Sequence, residues 1–413
     1  ARVCARLLAA TDDPSSAVRL EAVDALAEPC PGGVEQRAVL EALATSVDPA
    51  DALDWHRPAH ALLALARLDP PAASRHLPTF VAHDRPIARA WAARAAVEAE
   101  DTAGLRALLR DPSDNVRTAA LPGLVRIQGR AADPVLLATV AEREDPQLVM
   151  TAARLLEGTD RREAAAMASL VALGRFSREE METHRDVRLA LLDRVAATGD
   201  TARVRDVEPY LRDYDPAVAA RAAEVLREWT GQRWIAAPRG PDPLARPDVA
   251  DIGAMREGRV VLHMARGGSV ELALLPLEAP TNAFRLWNLA RSGALDGLTL
   301  HRVVPNFVVQ GGSPGANEYR GHGAYTRDEV GLVPQWRGTV GLSTRGRDTG
   351  DGQIYVNLAD NVRLNHDYTI LARVTRGMEV VDAVREGDVI RRAEVVPTEG
   401  IPRPGPGGPG NGG

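Results

Sequence analysis

Apolar residues recur every fourth position through residues 1–235 and every second position through much of 255–396. The first rhythm belongs to helices with one buried face, because residues i, i+4 and i+8 align along a helix. Val18, Ala22 and Leu26 form one such stripe, and Ile87, Trp91 and Ala95 another. Val116, Ala120 and Leu124 follow, then Leu148, Ala152 and Leu156, then Val187, Leu191 and Val195, and last Val218, Ala222 and Leu226. A weaker copy lies at Trp55–Leu65. The stripes return at intervals of roughly thirty to forty residues, the spacing of a two-helix repeat. Asp13-Pro14, Asp111-Pro112 and Asp215-Pro216 mark helix starts, where Asp caps free N–H groups and Pro suits the first turn. Each unit then buries its stripe against the next, which predicts an α-solenoid over 1–235.

These units resemble HEAT-type repeats, specifically their second helices. The resemblance implies a surface that holds a protein partner.

The second rhythm predicts strands. Arg259–Met264 and Val270–Leu275 alternate around a Gly267-Gly268 turn, and Pro280 near the start of Ala279–Ala290 opens a helix. Between the two regimes, residues 236–250 form a linker, with four prolines between Ala236 and Pro247 favouring extended chain. The end of the chain, 399–413, is almost wholly Gly and Pro and reads as a disordered tail. The chain is thus multi-domain: a helical solenoid, a linker, a strand-rich domain over 251–398 and a tail.

Charge narrows the partners. The 413 residues carry 50 basic side chains, all Arg, against 56 acidic ones, for a net charge of -6. That balance lacks the basic excess that tracks a phosphate backbone, so no nucleic acid is expected. No apolar run reaches the ~18 residues of a membrane span. Cys4 and Cys30, the two cysteines, lie in Ala/Leu-rich sequence and read as small buried hydrophobes rather than a disulfide framework. His56 and His60 share i, i+4 spacing, but no third ligand accompanies them, so no metal is expected. The chain opens at Ala1 within apolar, helix-like sequence and reads as a fragment.

The specific signal is Leu300-His-Arg-Val-Val-Pro-Asn-Phe-Val-Val-Gln-Gly-Gly312. Arg337-Gly-Thr-Val-Gly-Leu-Ser-Thr344, Asp348–Val356, Asn365–Val374 and Gly377–Asp382 follow in order. This run resembles the signature of the cyclophilin family of peptidyl-prolyl cis-trans isomerases over residues 257–396. The resemblance implies a closed eight-stranded β-barrel capped by helices, in a compact bacterial form. It places the catalytic arginine on Arg302, preceded by His301, and the floor of the proline pocket on Phe307 and Val308. Gln310 would orient the arginine, and Ser343, Thr344 and Gln353 would line the groove for residues before proline. Tyr355 and Leu364 would complete the pocket walls, with Tyr368 where many members carry His. Three departures stand out: Asp351-Gly352 for a more usual Gly-Ser, Ile354-Tyr355 for Phe-Phe, and Arg363 where some members have a Trp linked to cyclosporin binding.

The chemistry asks for no cofactor. Amide resonance sets a barrier of about 18–20 kcal/mol, and an unaided X-Pro bond turns over in about 10–100 s. A catalyst needs an apolar slot for the pyrrolidine ring and a fixed cation that bonds the prolyl nitrogen once conjugation is lost. Arg suits that task because its fork is rigid and always charged. The expected partners are proline-containing polypeptides. The same groove would also serve a protein that binds proline segments without useful turnover. Likeness to solenoid–cyclophilin fusions adds an expectation of export to the periplasm or beyond, with the cytoplasm as the alternative.

Overall fold

The apolar stripes become helices in the structure, a computed structural model that describes residues 2–31, 33–51, 53–240 and 244–397. Ser16–Ala25, Pro86–Glu98, Asp114–Gln128, Pro146–Leu155, Arg185–Ala196 and Pro216–Thr230 carry the stripes, and His56–Leu68 carries the weaker copy. Each of these seven helices packs against the next along the chain. Val116, Ala120, Leu191, Val195, Val218 and Ala222 are fully buried as a result. Val18 departs from the expectation and is 43% exposed. It lies in the first stripe, which has a stacked neighbour of its own kind on one side only. Helix starts follow the Asp-Pro signal loosely. Asp215 accepts a bond from Ala217 N directly, whereas after Asp13-Pro14 the cap is Ser15.

Cys4 and Cys30 correct another expectation. They are joined in a disulfide that ties the helix Arg2–Ala10 to the turn after Ser16–Ala25. Both are only half-buried. Their separation of 26 residues carries no pairing signal by itself, because it is the antiparallel return of two short helices that brings the sulfurs together. His60 faces Asp24 at 2.7 Å and stacks on Trp91, while His56 stacks on Trp55.

Contacts divide the chain into two compact units. The first takes the residues up to Leu244 together with Ser313–Tyr325 and Arg385–Gly387, two short stretches expected within the isomerase-like domain. The second holds Ala245–Gly312, Thr326–Val384 and the stretch from Asp388. Of the expected linker, residues 241–243 lie outside the described residues, as does the expected tail at 399–413. Its final residues begin a helix, Val249–Glu257, fixed by a capping box between Asp248 and Asp251.

The second unit is a near-closed antiparallel β-barrel. Its strands are β1 (Gly258–Met264), β2 (Ser269–Leu274), β3 (Thr299–Leu300), β4 (Arg302–Val304), β5 (Val308–Gly311), β6 (Thr339–Leu342), β7 (Ile354–Asn357), β8 (Ile370–Arg376) and β9 (Asp388–Pro397). The sheet order is β3-β9-β1-β2-β8-β6-β7-β5-β4. Among the described residues nine strands appear where eight were expected, for a local reason. β3 and β4 are separated by His301 alone, so one segment breaks at that residue, pairs with β9 on one side and with β5 on the other, and brings the two edges together. The barrel interior is filled by Val260, Leu272, Val309, Val340 and Val356, with Leu286 and Trp287 from the helix Pro280–Arg291.

The closure requires Gly311. A Cβ there would collide with Thr299 O and lie 2.6 Å from Leu300 Cα, both backbone atoms that cannot swing aside. We expect Gly311→Ala to destabilise the barrel by about 3 kcal/mol or more, as overpacking against a rigid neighbour does. Amide hydrogen exchange of the full chain, read in β3, β5 and β9 by mass spectrometry across a denaturant series, measures the loss.

Candidate active site

The strand register places the expected site residues in one row across the sheet. Arg302 on β4 stands opposite Gln310 on β5, Gln310 opposite Tyr355 on β7, and Tyr355 opposite Gly341 on β6. Directly opposed residues of antiparallel strands share a face. The adjacent row, Val303, Val309, Val356 and Val340, belongs to the barrel core. The first row therefore lies on the outer face, where Arg302 is half-buried.

Hydrogen bonds lock this row. Arg302 Nη1 donates to Gln310 Oε1 at 3.2 Å, and Gln310 Nε2 donates to Ser343 Oγ at 2.9 Å. Gln310 is itself buried, so its amide orientation is set on both sides: the oxygen meets the cation and the nitrogen the hydroxyl. The half-buried ring of Phe307 has two guanidinium carbons near its centre, Arg302 Cζ at 5.9 Å and Arg363 Cζ at 4.5 Å. Arg363, noted from sequence as a departure, thus covers that ring. Val308 is buried on β5. Leu364 is half-buried in the single turn Val362–Leu364.

Tyr355 is buried, and its ring meets Tyr368 edge-on with centroids 6.3 Å apart. Its hydroxyl donates to Gln335 Oε1 at 3.0 Å. Burial pushes this phenol above its ordinary range. Gly341 makes room for the ring, since a Cβ there would overlap it. Thr344, after Ser343, is half-buried. Gln353, expected in the groove, is almost wholly buried. Its Nε2 donates to Asp351 Oδ2 at 2.9 Å and its backbone N–H to Asp351 Oδ1 at 3.1 Å, while Arg345 Nη1 reaches the same carboxylate at 3.0 Å.

Comparison with known proteins decides what this row belongs to. Residues 259–402 match the family model for cyclophilin type peptidyl-prolyl cis-trans isomerases. Peptidyl-prolyl cis-trans isomerase B of Bacillus subtilis is 34% identical over 131 residues, covering 31% of this chain and 92% of that protein. The chain belongs to the cyclophilin-type isomerase family. A Helicobacter pylori peptidyl-prolyl cis-trans isomerase is 33% identical, with 30% of this chain and 78% of that protein covered. A Cryptosporidium parvum cyclophilin type isomerase, solved in the presence of the dipeptide Ala-Pro, is 18% identical over 34% of this chain and 99% of that one, with a TM-score of 0.31.

Several residues of the cyclophilin unit that shape this face were not singled out as site residues from sequence. Gln335, Asn357, Asn361 and Asp351 are all buried polar side chains, and Arg345 pairs with the last of them. Only Asp351 gave a signal, as a carboxylate where the family more often carries Gly.

His301, between β3 and β4, is buried, and that burial pushes its pKa down to about 4. It is therefore neutral at pH 7. The unfolded chain takes up this proton near the ordinary value of 6.5, the folded chain only near 4. Stability from this residue is thus full above pH 6.5 and falls as pH drops toward 4, by about 3 kcal/mol in all. We expect the denaturation midpoint of wild type to fall relative to that of His301→Gln between pH 7 and pH 4.5. A constant difference between the two proteins would contradict the buried neutral histidine.

Proposed function

We propose that the barrel catalyses cis-trans rotation of X-Pro bonds in polypeptides, with Arg302 as the donor to the prolyl nitrogen. The observation that carries this reading is the transverse row, in which a guanidinium held by Gln310 stands beside the Phe307 ring on the outer face of a rigid sheet. Phe307, Val308, Tyr355 and Leu364 would receive the pyrrolidine ring, with Tyr368 at its edge. Ser343 and Thr344 would meet the residues before proline. His301 would support Arg302 as a neutral neighbour, and Gln353 would act from beneath the groove.

In this reading the enzyme forms no covalent bond. The planar amide offers Arg302 little, because the nitrogen lone pair is spread over the carbonyl. As the bond twists, the lone pair localises and accepts a charge-assisted hydrogen bond worth ~1.5–3 kcal/mol. The interaction strengthens only toward the transition state, which is the condition for catalysis. A cation already fixed by Gln310 needs no reorganisation at that moment.

The helical unit, read as HEAT-type repeats, would hold the client protein. Met167 and Val171, four residues apart on Arg162–Arg178, are 48% and 56% exposed and offer such a surface an apolar anchor.

Two outcomes test these roles. Arg302→Ala should lower kcat/KM for an X-Pro tetrapeptide on the order of 10²–10³-fold with unchanged circular dichroism. Unchanged activity would remove Arg302 from the mechanism. Met167→Ser/Val171→Ser should leave the tetrapeptide rate unaltered while slowing catalysed refolding of a proline-limited protein, since only a tethered client gains effective concentration. Equal refolding rates would detach that helix from client binding.

A further inference from the structure

Gln335 lies in the segment before β6, is almost wholly buried, and bonds to three different parts of the outer face. Its Oε1 accepts from Tyr355 Oη at 3.0 Å and from Asn357 Nδ2 at 2.9 Å. Its Nε2 donates to the main-chain oxygen of Tyr368 at 3.2 Å. Its backbone oxygen accepts from Asn361 N at 2.7 Å, and its backbone N–H donates to Asn365 Oδ1 at 2.8 Å. These last two bonds clamp both ends of the turn that carries Leu364. Asn361 Nδ2 continues the network to Phe307 O at 3.0 Å and to Asn357 Oδ1 at 2.6 Å.

Phe307, Tyr355, and Leu364 with Tyr368 come from three separate stretches of chain. Tyr355 and the backbone of Tyr368 bond the side-chain amide of Gln335 directly, Phe307 reaches that amide through Asn361 and Asn357, and the turn of Leu364 also hangs on the Gln335 backbone. Arg302 bonds Gln310, and Gln310 in turn bonds Ser343. The cation is thus held through Gln310 and Ser343, and the apolar slot through Gln335.

We infer that Gln335 is the positioning residue of the proline slot, holding its walls at the spacing that admits a pyrrolidine ring. This inference rests on the isomerase reading above and adds a residue that does not itself touch substrate. An amide is the required chemistry, because the site needs an acceptor toward Tyr355 and Asn357 and a donor toward Tyr368 O. A carboxylate supplies only acceptors and would set a negative charge against Tyr368 O. A protonated carboxylic acid supplies both, with its carbonyl toward Tyr355 and its hydroxyl toward Tyr368 O.

That distinction yields the test. Gln335→Glu should behave like wild type while its carboxyl is protonated and lose the slot when it ionises. Burial raises the pKa of such a carboxyl, and the titratable group it touches is the Tyr355 phenol, neutral throughout this range. The full chain is assayed on an X-Pro tetrapeptide from pH 5 to 8.5, with KM and kcat separated and wild type as the control for His301. We expect wild-type KM to vary little, and Gln335→Glu to raise KM about tenfold across its titration while kcat changes less than threefold. Gln335→Met, of similar length without hydrogen bonds, should show the raised KM at every pH. Native KM in Gln335→Met, a pH-independent KM in Gln335→Glu, or a loss confined to kcat would each overturn the inference. If wild type itself is inactive, the isomerase reading fails, and the same pH series read as the Kd of the tetrapeptide still decides whether Gln335 shapes the slot. Should Gln335→Met not fold, Gln335→Glu compared at the two ends of its own titration carries the argument alone.

Discussion

At Gly311 the backbone of β5 passes Thr299 and Leu300 at close range, without a side chain between them. That approach lets the segment around His301 serve both edges of the sheet, with β3 on β9 and β4 on β5. Closure fixes where Arg302 points. Were the chain held further off, Arg302 would lose its place opposite Gln310, and its charge would have no preorganised partner. The barrel's architecture and its chemistry thus meet within a few residues. The buried, neutral His301 at the break is a consequence of the same close packing.

Two polar systems then divide the work on the outer face. Arg302, Gln310 and Ser343 form a short chain of bonds that orients the cation. Gln335, Asn357 and Asn361 form a second that binds the apolar walls to the sheet. Buried polar groups of this kind are costly unless their bonds are made, and once made they favour a single arrangement over its near alternatives. An isomerase that uses no covalent chemistry relies on such rigidity, because its rate enhancement comes from geometry already in place before the substrate twists.

Much of this was legible in the chain. The four-residue stripes gave the helices and most of their buried positions, since burial on a helix is a local, periodic property. The resemblance carried by the run from His301 to Gly312 and the blocks after it named Arg302, Gln310 and Tyr355, and the strand register adds Gly341 to their row. What escaped depends on distance in space rather than in sequence. The Cys4–Cys30 disulfide and the bonds that converge on Gln335 join residues whose separation follows no period. Val18 escaped for a different reason: its periodicity is sound, but a stripe is buried only where a neighbour covers it.

The transverse row also dictates where this domain can change in length. Arg302, Gln310, Tyr355 and Gly341 align because three pairs of strands keep their register at once. A residue gained or lost inside β4, β5 or β7 would exchange that strand's inward and outward positions, driving a guanidinium or an amide into the core and a valine out to the groove. The stretches between elements that hold none of these residues, such as 292–298 and 346–349, bear no such parity. Insertions and deletions can accumulate there, while the short strands between them stay fixed to the residue.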